Sequence, residues 1–124
     1  MAIVKKISML IVEDDKDLLA FLNMVLLKEG YENVHVAHTL ADALPLYKEH
    51  KIDVVFIDIV LPDGDGLDLA KSIRSNNQKV KLILMSSNFS PEIVSEMKDL
   101  IDGFLAKPFQ TAQLLKTIDS VLKN

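Results

Sequence analysis

The stretch MLIVEDD, residues 9–15, takes an apolar run suited to a protein interior straight into three adjacent carboxylates, Glu13, Asp14 and Asp15. Acids crowded in this way repel one another, and each has its proton affinity raised unless a cation joins them. With neither His nor Cys beside them the donors are all hard oxygens. That set suits Mg2+, an ion that keeps waters and leaves positions for phosphate oxygens. Asp15 stands immediately before a helical pattern, where an N-cap is the expected role, so the ion falls to Glu13 and Asp14. An isolated acidic triplet is more often a solvated helix cap than a metal site. Three further groups weigh against that here.

Asp58 closes the apolar run DVVFI, Ser86 and Ser87 close LILM, and Lys107 follows GFLA and precedes Pro108. A carboxylate at a buried strand end can attack phosphorus once a divalent ion offsets the charge repulsion. Lys107 paired to Asp58 would neutralise a carboxylate at rest and a phosphoryl oxygen afterwards, as fixed positive charge does in phosphoryl transfer. Its bond to Pro108 is a candidate cis peptide, which would aim the lysine into a pocket. A serine hydroxyl can donate to the same oxygen, and spacing alone does not separate Ser86 from Ser87. Asp63 and Asp65, in PDGDG, belong to a polar turn in which Gly64 and Gly66 supply unusual backbone angles.

The elements that must bring these groups together are five short apolar runs, 9–12, 34–37, 54–57, 82–85 and 103–106. Three are almost continuously apolar, as strands buried on both faces of a parallel sheet are. Helical stripes lie between them. The first carries Leu18, Leu19, Leu22, Val25 and Leu26 and stops at Gly30. The second starts at Thr39, with Pro45 inside it predicting a kink or an early break. A third spans about residues 67–75. A fourth is opened by Ser90 and Pro91 and carries Ile93, Val94, Met97, Leu100 and Ile101. A fifth starts at about Thr111. Strands alternating with helices predict a doubly wound α/β fold, with ligands beyond the carboxyl ends of the strands. If the first, third, fourth and fifth strands are neighbours, their terminal groups meet in one pocket. The second ends at His38 without a reactive group, which suits an edge.

The chain has 124 residues, 49% of them hydrophobic, a size for one domain over residues 1–124. A formal charge of -4 argues against nucleic acid and anionic membranes as partners. The absence of Cys removes thiolate sites and fits a reducing compartment, and no run is long enough for a signal or membrane segment, so a soluble cytoplasmic protein is expected. His35 and His38, three apart on a strand, point to opposite sides and read as a solvated edge.

Taken in order, IVEDD, DIVLPDGDGLDL around Asp58, the hydroxyl residue ending the fourth run and FLAKPF resemble the receiver domain of two-component response regulators, over essentially the whole chain. The resemblance implies a flavodoxin-like sheet in the order 2-1-3-4-5 with five helices, and a cis bond between Lys107 and Pro108. It implies Asp58 as phosphoacceptor, and Glu13, Asp14, Asp58 and the backbone carbonyl of Val60 as Mg2+ ligands. Ser86 becomes the switch hydroxyl, Lys107 the site lysine, and Phe104 the aromatic switch whose ring swings inward on activation. Implied partners are a histidine kinase or phosphotransfer protein, a downstream effector or output domain, and a phosphorylation-dependent second copy of the chain. Val60 and Asn88 would flank the phosphoryl group. The sequence departs from the family at Leu61, at Pro45, and in Leu100-Ile101 before DGF, after a fourth helix one residue short.

Two rival readings follow from the same residues. A Mg2+-dependent aspartyl-phosphate phosphohydrolase would want a second acid near Asp58, where Ile59, Val60 and Leu61 stand. A flavodoxin-like ligand-binding module would want Gly, Ser or Thr amides after the first strand, where three acids would repel a phosphate. A calcium loop in DIVLPDGDGLDL fails, since neither glycine register supplies the required acids.

Overall fold

The computed structural model describes residues 5–123. Strands and helices alternate: β1 (Lys5–Val12), α1 (Lys16–Lys28), β2 (Tyr31–Ala37), α2 (Leu40–Glu49), β3 (Val54–Asp58), α3 (Gly66–Asn76), β4 (Lys81–Ser86), α4 (Pro91–Met97), β5 (Gly103–Ala106) and α5 (Thr111–Lys123). Between β3 and α3, Val60–Leu61 pairs antiparallel with Gly64–Asp65. The five strands form one parallel sheet in the order β2-β1-β3-β4-β5, with β2 at an edge as its plain terminus predicts. This is the expected flavodoxin-like doubly wound arrangement.

Parallel neighbours need crossovers, and helices supply them, which covers both faces of the sheet. Alternation along the strands builds two cores. Leu10, Val12, Val55, Ile57, Leu82 and Leu84 pack on one side with Ala43, Leu67, Ile73 and Met97. Met9, Ile11, Val54, Phe56, Ile83 and Met85 pack on the other with Leu22, Leu26, Leu114 and Ile118. Fully burying each such side chain contributes about 1.5–3 kcal/mol. The sheet centre is therefore the rigid platform from which the strand ends project.

Helix starts are fixed by side-chain oxygens. Asp15 caps α1, accepting from the Asp17 amide at 2.9 Å, Thr39 caps α2 and Ser90 caps α4 with Pro91 just inside. Gly30 ends α1 at φ 94°. Gly66 departs from expectation, because its φ is not positive. A Cβ there would lie 2.0 Å from the Asp58 carbonyl oxygen, so glycine is needed for the close approach of α3 to the end of β3.

Two helix limits differ from expectation for reasons outside the local pattern. Of the kink or early break predicted at Pro45, the break does not occur, and α2 continues to Glu49. The proline is exposed and deletes one amide, while Ala43 is buried and Leu44, Leu46 and Tyr47 hold the helix to the core. The Asp63 carboxylate also ties down its first turn, accepting from the Leu40 and Ala41 amides at 2.8 and 3.0 Å. The fourth stripe was drawn through Ile101, yet α4 stops at Met97. There the Met97 carbonyl accepts from both Leu100 and Ile101 amides, closing a turn.

Candidate functional site

Register decides which side chains meet. Val12 lies opposite Ile57, Asp58 opposite Met85, and Ser86 opposite Ala106. Glu13, Asp58, Ser86 and Lys107 therefore fall in one row along the carboxyl edge of the sheet, although up to 94 residues separate them. The Lys107-Pro108 bond is cis, as expected.

The Lys107 ammonium bridges two acids, donating to Glu13 Oε1 at 2.5 Å and to Asp58 Oδ2 at 2.9 Å. Glu13 is wholly buried and Asp58 6% exposed. The other Glu13 oxygen, Oε2, accepts from the Asp14 and Asp15 amides at 3.0 and 3.1 Å. Burial dominates its proton affinity. It pushes the Glu13 carboxyl up to about 7, with help from the Asp58 charge, and the hydrogen bonds from Lys107 and the Asp15 amide offset this only in part. For Lys107, burial alone would lower the proton affinity. Its hydrogen bonds to Glu13 and Asp58 outweigh that and hold it above the ordinary lysine value.

Asp14 is exposed, and one oxygen from each of Glu13, Asp14 and Asp58 lies within 4.8 Å of the others. Three carboxylates against one ammonium leave an excess of two negative charges, if all are ionised, on a purely oxygen donor set. The residues fit a hard divalent cation.

Ser86 is 5% exposed at the end of β4, whereas Ser87 is exposed. The Ser86 hydroxyl is engaged away from Asp58: it donates to the Asn88 carbonyl and accepts from the Asn88 amide, both at 3.0 Å. Val60 leaves its side chain 74% exposed, and its amide lies 3.4 Å from Asp58 Oδ1. Phe104 is exposed on β5. A cleft of about 460 Å3 adjoins the site, lined by Leu18, Phe21, Pro108 and Phe109 together with Asp15, Asp17, Ser87 and Lys107.

The family model described as response regulator receiver domain matches residues 9–119. The chain belongs to that family. The chemotaxis protein CheY of Bacillus subtilis (strain 168) is 32% identical to this chain over 114 residues, spanning 91% of this chain and 95% of its own. The non-phosphorylated HemR receiver domain from Leptospira biflexa superposes with a TM-score of 0.89 at 29% identity, covering 96% of each chain. A CheX-CheY-BeF3-Mg2+ complex from Borrelia burgdorferi contains a chain with a TM-score of 0.87 at 26% identity, covering 94% of this chain and 89% of that one.

This receiver domain holds features that its motifs do not disclose. Phe89 meets Phe104 edge to face, ring centroids 5.5 Å apart and planes at 88°. Arg74 fastens the end of α3 to the turn after α4, donating to the Leu100 and Val80 carbonyls at 3.0 and 2.8 Å and to Asp102 at 2.8 Å. Asp63 and Asp65, assigned to a turn, prove to cap α2 and α3. His35, on the edge strand β2, stacks on His50 with ring centroids 3.9 Å apart. The Asp65 cap was discoverable from its place just before the third helical stripe, but the Asp63 cap and the Phe and Arg contacts span distances that no local pattern encodes.

Proposed function

We propose that Asp58 accepts a phosphoryl group from the phosphohistidine of a histidine kinase or phosphotransfer protein and that the acyl phosphate changes the surface of α4, β5 and α5. The observation that carries this reading is the Lys107 bridge between Glu13 and Asp58 at the open end of the sheet. A nucleophile needs a free oxygen and an approach. Among the described residues Asp58 Oδ1 has only the long contact to the Val60 amide, and the cleft beside Lys107 leaves the donor room.

In the transfer, an Asp58 oxygen attacks phosphorus in line as the bond from phosphorus to the histidine nitrogen breaks and its electron pair returns to the imidazole. Lys107, already on the other Asp58 oxygen, follows the charge to a phosphoryl oxygen. The Ser86 hydroxyl exchanges its Asn88 partners for the new anion, drawing the loop after β4 inward, and Phe104 turns into the space vacated. Glu13, Asp14, Asp58 and the Val60 carbonyl are the groups that would hold Mg2+, which when bound screens the carboxylates and steadies phosphoryl oxygens. Val60 and Asn88 border the phosphoryl group and govern the entry of hydrolytic water, so the domain assists its own labelling and its own dephosphorylation.

On this reading residues 1–124 form one receiver domain acting in the cytoplasm, where kinase and Mg2+ are found, through an effector, an output domain or a second copy of itself. The test is intact-mass analysis after incubation with acetyl phosphate and Mg2+. One phosphoryl group should add to the parent and none to Asp58→Asn or to parent without Mg2+. Equal labelling of Asp58→Asn would refute the assignment.

A further inference from the structure

The Ser86 hydroxyl is not waiting in the pocket, since both of its hydrogen bonds go to the backbone of Asn88. The next residue, Phe89, is half-buried, packs against the core under α2, α3 and α4, and lays its ring at 88° to that of Phe104. Perpendicular aromatic pairs at this separation attract through their quadrupoles. Residues 86–89 thus join the hydroxyl at the end of β4 to the ring on β5. Ser86 cannot turn to Asp58 without releasing Asn88, and release of Asn88 moves the anchor of the Phe89 ring.

We propose that Phe89 is a positioning residue that holds Phe104 on the surface of the resting domain and so sets how readily it switches. The inference rests on the reading of Asp58 as acceptor and Phe104 as the moving ring. Phe89 touches no reacting atom and acts through Phe104 alone. The contact is made with Phe104 outward, and an inward turn of that ring would break it, so it favours the outward state and its removal shifts the equilibrium inward. An aromatic pair of this kind corresponds to about a 2- to 12-fold change in the ratio of the two states.

The experiment uses the full chain with fluorine-labelled phenylalanine, reading the Phe104 resonance in protein free of metal and phosphodonor, and then with Mg2+ and beryllofluoride as the phosphoryl analogue. Phe89→Ala and Phe89→Leu should both move the ligand-free Phe104 signal toward its analogue-bound position and speed labelling by acetyl phosphate about 2- to 12-fold, while Phe89→Tyr, which keeps the ring, should behave as the parent. Phe89→Leu tests the ring separately from its bulk, should the alanine variant fold poorly. An unmoved ligand-free Phe104 signal in a folded Phe89→Leu protein would overturn the proposal. A parent that takes up no beryllofluoride would instead overturn the assignment of Asp58, while a ligand-free Phe104 resonance left unmoved by Phe89→Leu would still, by itself, overturn the restraint of Phe104 by Phe89.

Discussion

Glu13 carries two duties on one carboxylate. Oε1 receives the Lys107 ammonium and Oε2 two backbone amides, so it organises the loop after β1 as well as contributing charge. Its motif made Glu13 a candidate for the ion, but its bonds to the Asp14 and Asp15 amides depend on how the chain turns and were not legible in residue types. The places of Asp58 and Lys107 at strand ends were legible, because each closes an apolar run with a charge, and Asp14 follows one residue behind such a closure. The raised proton affinity has a consequence for pH. Between 4.5 and about 7 the folded protein keeps a proton at Glu13 that the unfolded chain has lost. The stability this confers is present below 4.5 and falls away as pH rises through about 7, being absent above it. Urea midpoints of the metal-free protein measured across that window should fall more steeply with rising pH for the parent than for Glu13→Gln. Identical slopes would contradict the shift. Lys107 contributes at the alkaline end. Its raised value means stability that is complete below 10.5 and lost as pH climbs through the folded value.

At the scale of elements, strands were easier to find than the limits of helices. Continuous burial of β1, β3 and β4 near their carboxyl ends leaves an apolar signature in the sequence. The end of α4 leaves none, because Leu100 and Ile101 continue the apolar spacing of Ile93, Val94 and Met97 yet lie in a turn held by Arg74 from another helix. Pro45 misled in the opposite direction, since the capping carboxylate of Asp63 lies 22 residues from Ala41. The Arg74 side chain is 12% exposed and serves carbonyls that would otherwise lack it. Arg74→Ala should therefore cost about 2–4 kcal/mol of stability. Amide exchange should quicken in residues 98–102 more than in β3. Uniform quickening would show that the guanidinium supports the whole core and does not specifically pin this turn. The turn so pinned leads into β5 and the Phe104 ring.

For the whole molecule, a sheet covered on both faces leaves its open ends for chemistry, and register then sets the order of charges along one end. That much followed from five apolar runs alternating with helical stripes, and family membership agrees with it. The two-residue ladder after β3 and the tight seat of Gly66 on Asp58 were beyond local reading, because both depend on backbone approach. The oxygens that Glu13, Asp14 and Asp58 bring together at the sheet end should be drawn to a divalent ion. Mg2+ at one hundred times its Kd should stabilise the folded chain by about 2.7 kcal/mol, and Asp14→Asn should remove most of that gain. An unchanged denaturation midpoint with Mg2+ would count against the metal site.

The central claim is that Asp58, and no other group of this acidic row, receives phosphorus. Borohydride reduces an acyl phosphate of aspartate to homoserine, so protein labelled with acetyl phosphate, reduced, digested and sequenced by tandem mass spectrometry records where the phosphoryl group sat. Homoserine at position 58 alone is the predicted result. Homoserine at position 14 or 15, or phosphate retained on Ser86, would contradict it.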